Sequence, residues 1–321
     1  MIDLLKKNGP FFKANLHCHT NVSDGKMTPA EIKAHYQKNG YSIVSMTDHS
    51  KYVWHKELES EDFLPVPGVE TAFTCLDPDH AKLKFKLCHI NFYAKDPENA
   101  VYIPETAAYD TGVINRYIRK MKAGGWLCTL NHPGWSLQTS EEINELTGLD
   151  GFEVYNHASQ IKDNNGEYQA YWARYLNNGR HAYAVAADDN HSGYLENGEI
   201  GPCDDTCGGF IYISMPSLTY ADFAEAFENG RFYSSSGVEI KELYIDEETD
   251  EVVLSCTPVR QVIVKGVHTV PAYRLDANSD KYSDVRIPLG EIRKKEPFFR
   301  LELRNMDGKT AYSQPYYFEE V

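Results

Sequence analysis

The 321-residue chain has no apolar run approaching the roughly 20 residues that span a bilayer, so no membrane-spanning helix is expected. Its opening residues, MIDLLKKNGPFFKANLHCHT, contain neither the apolar core nor the small-residue cleavage site of a secretory signal, and a cytoplasmic location is expected. Basic residues are in deficit: 32 Lys and Arg face 47 Asp and Glu, a formal charge of -15. Such a surface repels nucleic acid and anionic membrane, and neither is expected as a partner. A small anionic substrate stays compatible, because bound divalent cations are the largest charges in a pocket and reverse its sign locally. The seven cysteines are odd in number and form no CxxC pair. Most lie in predicted strands (Cys18, Cys75, Cys88, Cys128 and Cys256), the pattern of reduced thiols rather than a disulfide framework. Cys203 and Cys207 stand closer together in a Gly/Pro/Asp loop, where a second metal or redox pair is the alternative to two separate thiols. Internal repeats and low-complexity tracts are missing. What is there is ordinary for a globular protein, 42% hydrophobic and 25% charged, and long enough for one barrel-sized domain and a smaller one.

Two patterns succeed each other along the chain. Up to about residue 215, strand and helix signals alternate. Thr28-Pro29-Ala30-Glu31 is a capping box with proline at the first helical position, and Gly40 marks the end of the helix it opens. Strands are predicted over 41–47, 63–74, 83–93, 126–131, 151–155, 182–187 and 210–214. Helices are predicted over 111–123, 140–147, 167–177 and 220–228, with Gly or Asn-Gly stops. This alternation points to an α/β fold, a barrel of parallel strands rather than an open sheet. After Gly230, short strands separated by polar turns follow, over 231–234, 238–245, 252–256, 261–264, 298–304 and 316–318, with no helix among them. A break at Gly237 divides the chain into residues 1–235 and residues 236–321, the second a small β-sandwich-like domain.

His17-Cys18-His19 closes the apolar run Phe11, Phe12, Ala14, Leu16, and Asp24 follows five residues later. On a β-strand the period of two turns both imidazoles to one face, about 6 to 7 Å apart, close enough to grip one cation. The same residue types recur around other predicted strands: Asp48-His49, Glu70, His132 and Asp189-Asn190-His191 at or near their ends, and His89 within one. The C-terminal ends of barrel strands converge on one mouth. A single strand histidine is more often a satisfied structural residue, but six that follow one rule point to a metal site. Imidazoles and carboxylates together suit Zn, Mn or Fe, among which sequence does not choose. His35, His55, His80, His181 and His268 follow no such rule, and His157 comes just after the strand end Tyr155-Asn156.

The series H-x-H-x4-D (His17, His19, Asp24), T-D-H (Thr47 to His49), G-x-E (Gly68 to Glu70), the strand residue His89, N-H-P (Asn131 to Pro133) and D-x-H (Asp189 to His191) resembles a known family. In this order it is similar to the polymerase and histidinol phosphatase (PHP) domain family of metal-dependent phosphoesterases, over about residues 10 to 235. The resemblance implies a distorted seven-stranded β/α barrel carrying two or three divalent metal ions. It implies a first metal held by His17, His19, Glu70 and Asp189, with Glu70 bridging to a second held by His89 and His132. A third falls to Asp24, His49 and His191, although Asp24 stands where some members carry histidine. Asp189 is preferred to the adjacent Asp188 on the D-x-H spacing alone. The implied reaction is hydrolysis of a small-molecule ester, most simply an anionic phosphoester, by a metal-bridging hydroxide, so that no serine or cysteine nucleophile is required. Asp48 would orient a ligand or carry a proton, and Lys51 and Arg116 are either phosphate contacts or solvated surface charges. The stretch from Gly230 through Tyr312 is similar to the β-rich extension of a PHP subgroup resembling carbamate-ester hydrolases, which leaves carboxylic and carbamic esters as alternatives. A non-catalytic scaffold stabilised by metals is a further alternative, though a scaffold has no evident need for three adjacent sites.

Overall fold

A computed structural model describes residues 1–75, 86–104, 109–192 and 204–321. The first half contains β1 (Ile2–Asp3), β2 (Phe11–Asn15), α1 (Pro29–Lys38), β3 (Ile43–Met46), β4 (Leu64–Cys75), β5 (Lys86–Ala94), α2 (Thr111–Ala123), β6 (Trp126–Leu130), α3 (Ser140–Glu145) and β7 (Gly151–Asn156). Next come α4 (His157–Asp163), α5 (Gln169–Asn177), β8 (Tyr183–Ala187), β9 (Phe210–Ser214), α6 (Tyr220–Glu228) and β10 (Phe232–Ser235). The rest is β11 (Ile240–Asp246), β12 (Glu251–Val259), β13 (Gln261–Lys265), β14 (Tyr273–Asp276), β15 (Tyr282–Pro288), α7 (Gly290–Lys295), β16 (Phe298–Arg304), β17 (Thr310–Tyr312) and β18 (Tyr316–Tyr317).

Local chemistry sets the ends of α1. Thr28 Oγ1 accepts from the Glu31 N–H at 3.3 Å, and the Glu31 carboxylate accepts from the Thr28 N–H at 2.8 Å. Pro29 starts the helix without leaving an amide unpaired, and Gly40 beyond its end takes φ +79°, open to glycine without a Cβ penalty.

The main sheet has the order β14-β13-β16-β17-β10-β9-β2-β3-β4-β5-β6-β7-β8, with β18 paired to β16. The runs β2-β3-β4 and β6-β7-β8 are parallel. β5 is antiparallel to both neighbours, and β9 is antiparallel to β2. The expected set of parallel strands is therefore corrected to a mixed α/β sheet. Only residues 76–85 separate β4 from β5, fewer than the dozen or so that a parallel crossover takes, and β5 returns alongside β4. No backbone ladder joins β8 to β9 or β10 among the described residues. Instead Ser234 Oγ donates to the Ala184 carbonyl at 2.7 Å, and Gln314 accepts from the Ala184 N–H at 2.7 Å while donating to the Ala184 and Phe232 carbonyls at 3.1 Å each.

A second sheet, β1-β11-β12-β15, faces the β14-β13-β16-β17 end of the first across a shared apolar layer. Leu243, Ile245, Val252, Leu254 and Ile287 meet Val262, Val264, Leu301 and Leu303 there, joined by Leu4 and Leu5. The N-terminal residues thus pack with the C-terminal strands. α7 interrupts the region in which no helix is predicted; its six residues bury only Ile292, too little to show a helical period. Around the other end of the main sheet, Phe92, Tyr117, Trp126, Phe152 and Trp172 belong to one core that seats α2 and α5. No described helix is long and apolar enough to cross a membrane.

Candidate metal centre

Strand direction decides which side chains meet. β2, β3, β6 and β8 run into the short segments that carry His17 and His19, His49, His132, and Asp189 and His191. β4 extends past the end of β3, so that Glu70 bridges His49 before the strand continues to Cys75. β5 runs the other way and delivers His89 from its N-terminal half, opposite Ala72. A histidine near the start of an antiparallel strand thus reaches the same place as residues just past the ends of parallel ones. His132 and Asp189 have φ of 25° and 57°, a region that residues with a Cβ rarely adopt and that persists only where surrounding bonds hold it. The His132 N–H donates to Glu153 at 2.7 Å, and the Asp189 N–H donates to the His17 carbonyl at 2.9 Å.

Glu70 is fully buried at the centre. Its Oε1 lies 2.9 Å from His89 Nδ1, 3.2 Å from His132 Nε2 and 3.3 Å from His17 Nε2. Its Oε2 lies 2.9 Å from His49 Nδ1 and 3.4 Å from His19 Nε2. Asn131 Nδ2 donates to Oε1 at 2.8 Å and fixes the carboxylate. Asp189 Oδ1 sits 3.1 Å from Nε2 of both His17 and His19. Asp24 Oδ2 lies 3.6 Å from His49 Nε2 and 3.5 Å from His191 Nε2, and its Oδ1 lies 3.7 Å from His19 Nδ1. The nine residues singled out from the motif series fall into four overlapping groups: His19/Asp24/His49/His191, His17/His19/Asp189, His17/Glu70/His132 and His49/Glu70/His89. The first group is the open one, with Asp24, His49 and His191 side chains 53%, 31% and 30% exposed.

Burial opposes charge on His17, yet Asp189, Glu70 and Glu153 outweigh it and hold the imidazole well above its ordinary pKa. At His49 burial is again overcome, by Glu70 and Asp24, and the pKa rises to about 9. At His19 burial prevails and lowers it to about 4. Glu70 and Asp189 stay below the ordinary carboxylate range despite burial, because imidazoles surround them. Protons on some imidazoles thus balance the carboxylates, a role that bound divalent cations would supply instead. His17 Nε2, both ring nitrogens of His19, His89 Nδ1 and Glu70 Oε2 are buried without a hydrogen-bond partner. These atoms converge on one another at ion-pair distance without hydrogen-bond geometry, so the residues fit divalent cations with mixed nitrogen and oxygen donors.

The remaining expected site residues are placed differently. Asp48 accepts from the N–H and Oγ1 of Thr20 at 2.9 and 2.8 Å, and from the N–H and Oγ of Ser23 at 3.1 and 2.6 Å. It makes no hydrogen bond to His49; its carboxylate is spent on holding the loop that carries Asp24. Lys51 is exposed and donates to the Val22 carbonyl of that loop. Arg116 stands on the exposed side of α2, opposite the buried Ile114, Tyr117, Ile118 and Met121, and no described hydrogen bond or ion pair joins it to the cluster. Asp188 faces away: it accepts from Tyr36 Oη at 2.7 Å and from the N–H groups of Cys207, Gly208 and Gly209 at 2.8, 2.9 and 2.7 Å. The Cys203–Cys207 pair lies outside the described residues through Cys203; Cys18, Cys75, Cys88, Cys128, Cys207 and Cys256 are free thiols.

Glu153 lies outside the motif series and belongs to the site. Its Oε1 is 3.0 Å from His17 Nδ1, and its Oε2 accepts from the His132 N–H at 2.7 Å and from Asn156 Nδ2 at 3.0 Å. A lone carboxylate inside the apolar strand Gly151-Phe152-Glu153-Val154-Tyr155 is the signal that marks it.

No protein-family model matches the chain. It is 25% identical over 166 residues to DNA polymerase III subunit alpha of Campylobacter jejuni, a match over 45% of this chain and 14% of that one, so it spans only a small part of that relative. Matching solved structures include a two-domain protein of Bacteroides vulgatus described as containing a predicted PHP-like metal-dependent phosphoesterase, at 14% identity, 100% and 90% coverage of the two chains and TM-score 0.44. Another, from Bifidobacterium adolescentis, is described as a metal-dependent phosphoesterase, at 16% identity, 59% and 91% coverage and TM-score 0.39. A third is an amidohydrolase of Chromobacterium violaceum with bound sulfate and no metal, at 14% identity, 59% and 92% coverage and TM-score 0.41. In its motif series and in these comparisons, the chain resembles PHP-like metal-dependent phosphoesterases.

Proposed function

We propose that this protein is a metal-dependent phosphoesterase that hydrolyses a small anionic ester, using two or three divalent ions of Zn, Mn or Fe. The observation that carries this is the convergence of nine imidazole and carboxylate residues, several of whose buried nitrogen and oxygen atoms make no hydrogen bond. Divalent cations bound there supply a water that ionises near neutrality and a positive charge opposite the negative charge that develops on phosphoryl oxygens. The chain's own residues prepare the place. Glu70 turns one oxygen to His17, His89 and His132 and the other to His19 and His49, tying the groups together at a fixed separation. Glu153 fixes the His17 ring and the His132 backbone, and Asp48 acts as a positioning residue for residues 20–24. Lys51, which donates to the Val22 carbonyl of that loop, is kept in this proposal as a contact for the anionic ester; Arg116, with no described bond to the cluster, is not.

In the same proposal, residues 1–235 form the hydrolase unit, with β2 to β8 as the seven strands of a distorted barrel, and residues 236–321 form an appended β-rich unit. Free thiols and a charge of -15 fit a cytoplasmic enzyme with neither nucleic acid nor membrane as its partner. Elemental analysis of the untreated protein, followed by assay with Mn or Zn against aryl phosphate, phosphodiester and carboxyl ester panels, tests it. The expected outcome is two or three bound ions per chain and turnover of a phosphate ester, lost in Glu70→Gln by about a hundredfold or more. Turnover of carboxyl esters alone would replace the substrate class. A chain that neither contains nor takes up transition metals would remove the proposal.

A further inference from the structure

The four tryptophans differ in what surrounds them. Trp126 and Trp172 are fully buried and donate their indole N–H to the carbonyls of Val101 at 3.3 Å and Ala182 at 2.8 Å. Trp54 donates to Tyr220 Oη at 3.0 Å. Trp135 is 43% exposed, and its indole N–H has no partner among the described residues. Its ring centroid lies 5.0 Å from that of His132 and 6.1 Å from that of His89, the two imidazoles that meet Glu70 Oε1 from the β5–β6 side.

The loop that displays this side chain is held from within. Ser136 N–H donates to the His132 carbonyl at 3.0 Å, Leu137 N–H to Gly134 at 3.2 Å and Gln138 N–H to Pro133 at 3.0 Å. His132 Nδ1 lies 3.1 Å from Ser136 Oγ, so the imidazole and the loop are locked together. Gly134 packs so closely on Tyr168 that a Cβ there would come within 2.7 Å of its ring, so the loop backbone is seated against that residue. A single exposed aromatic is unremarkable on a protein surface. One fixed rigidly beside candidate metal ligands, with its N–H unspent, is a preformed half of a binding pocket, where a few polar groups and an aromatic wall orient a ligand.

We propose that Trp135 is the subsite for a planar aromatic group of the substrate, which stacks on the indole while the anionic end meets the cations that Glu70, His89 and His132 would hold. This rests on the phosphoesterase proposal for the anionic end and adds the chemical class of the other end. Aromatic rings stack with centroids about 4.5–7 Å apart, so the short distance from indole to imidazoles requires the aromatic group to be joined to the phosphoryl group directly or through roughly one or two atoms. An aryl or similarly short-linked heteroaryl phosphate meets this; a simple alkyl phosphate leaves the indole bare.

Calorimetric titration of the Zn- or Mn-loaded protein with phenylphosphonate and with methylphosphonate tests the subsite, because neither contains an ester bond to hydrolyse. Stacking of a base on an aromatic side chain is worth about 1–3 kcal/mol, so phenylphosphonate should bind roughly tenfold tighter or more. Trp135→Ala should erase that preference while leaving methylphosphonate affinity and metal content unchanged, and Trp135→Phe should keep most of it. Equal affinities in the wild type, no binding of either, or a preference that survives in Trp135→Ala overturns the subsite. A protein that hydrolyses no phosphate ester yet shows the Trp135-dependent preference loses the phosphoesterase assignment and keeps the subsite, and hydrolysis without the preference does the reverse.

Discussion

Replacing Asp188 and Asp189 by asparagine, one at a time, should separate folding from metal retention. Asp188 is fully buried, and its two oxygens accept from Tyr36 Oη and from the N–H groups of Cys207, Gly208 and Gly209. An asparagine there turns one acceptor into a donor that faces donors, at about 1–3 kcal/mol. Thermal melting of Asp188→Asn should fall by roughly 2–8 °C while metal content is kept. Asp189 instead points its carboxylate at His17 and His19, 3.1 Å from each. Asp189→Asn should retain fewer ions than the wild type by elemental analysis. The reverse pattern would mean that the two aspartates had been assigned the wrong way round.

At the scale of elements, α1 offers a direct test of how local chemistry supports the site. Thr28→Ala removes the side-chain acceptor of the capping box and should cost about 0.5–2 kcal/mol in chemical denaturation, with Thr28→Ser close to the wild type. The helix carries Tyr36, whose hydroxyl lies 3.0 Å from Asn15 Nδ2 and 2.9 Å from Asn190 Oδ1 under the site, so a cost near zero would show that these contacts alone anchor it. The ends of α1 are legible in the sequence because capping involves residues three apart, and the candidate ligands other than the strand residue His89 are legible because each sits in a short motif. The direction of β5 is not: an alternating strand reads alike both ways, and only its partners fix its polarity. Glu153 stands out in β7 as a charge in an apolar strand, but its partner His17 is 136 residues away. α2 shows the opposite case, since the stripe Ile114, Tyr117, Ile118 and Met121 already turns Arg116 outward. The N-terminal strand β1 escapes because two residues, Ile2 and Asp3, carry no period, and their place is set by β11 far along the chain.

For the whole molecule, the candidate ligands span His17 to His191 and come from segments around β2, β3, β4, β5, β6 and β8. Cations held among them would bind the folded chain and not the unfolded one, which stabilises the fold by about 2.7 kcal/mol for each site at a hundred times its Kd. The sites should not be equal. Asp24, His49 and His191 are 53%, 31% and 30% exposed, whereas Glu70, His17 and His132 are 0%, 1% and 3% exposed, so water and a chelator reach the first set without any opening of the fold. Dilution of the loaded protein into excess EDTA should therefore release metal in two phases. The fast phase should lower the melting temperature only in part, because the ions at the buried groups are still bound. The slow phase should lower it by several degrees and be reversed by adding Zn or Mn, because the ions it removes join β2, β4 and β6 through buried side chains. Release in one phase, with the melting temperature falling in proportion, would mean that the four groups act as a single site and that exposure does not grade them.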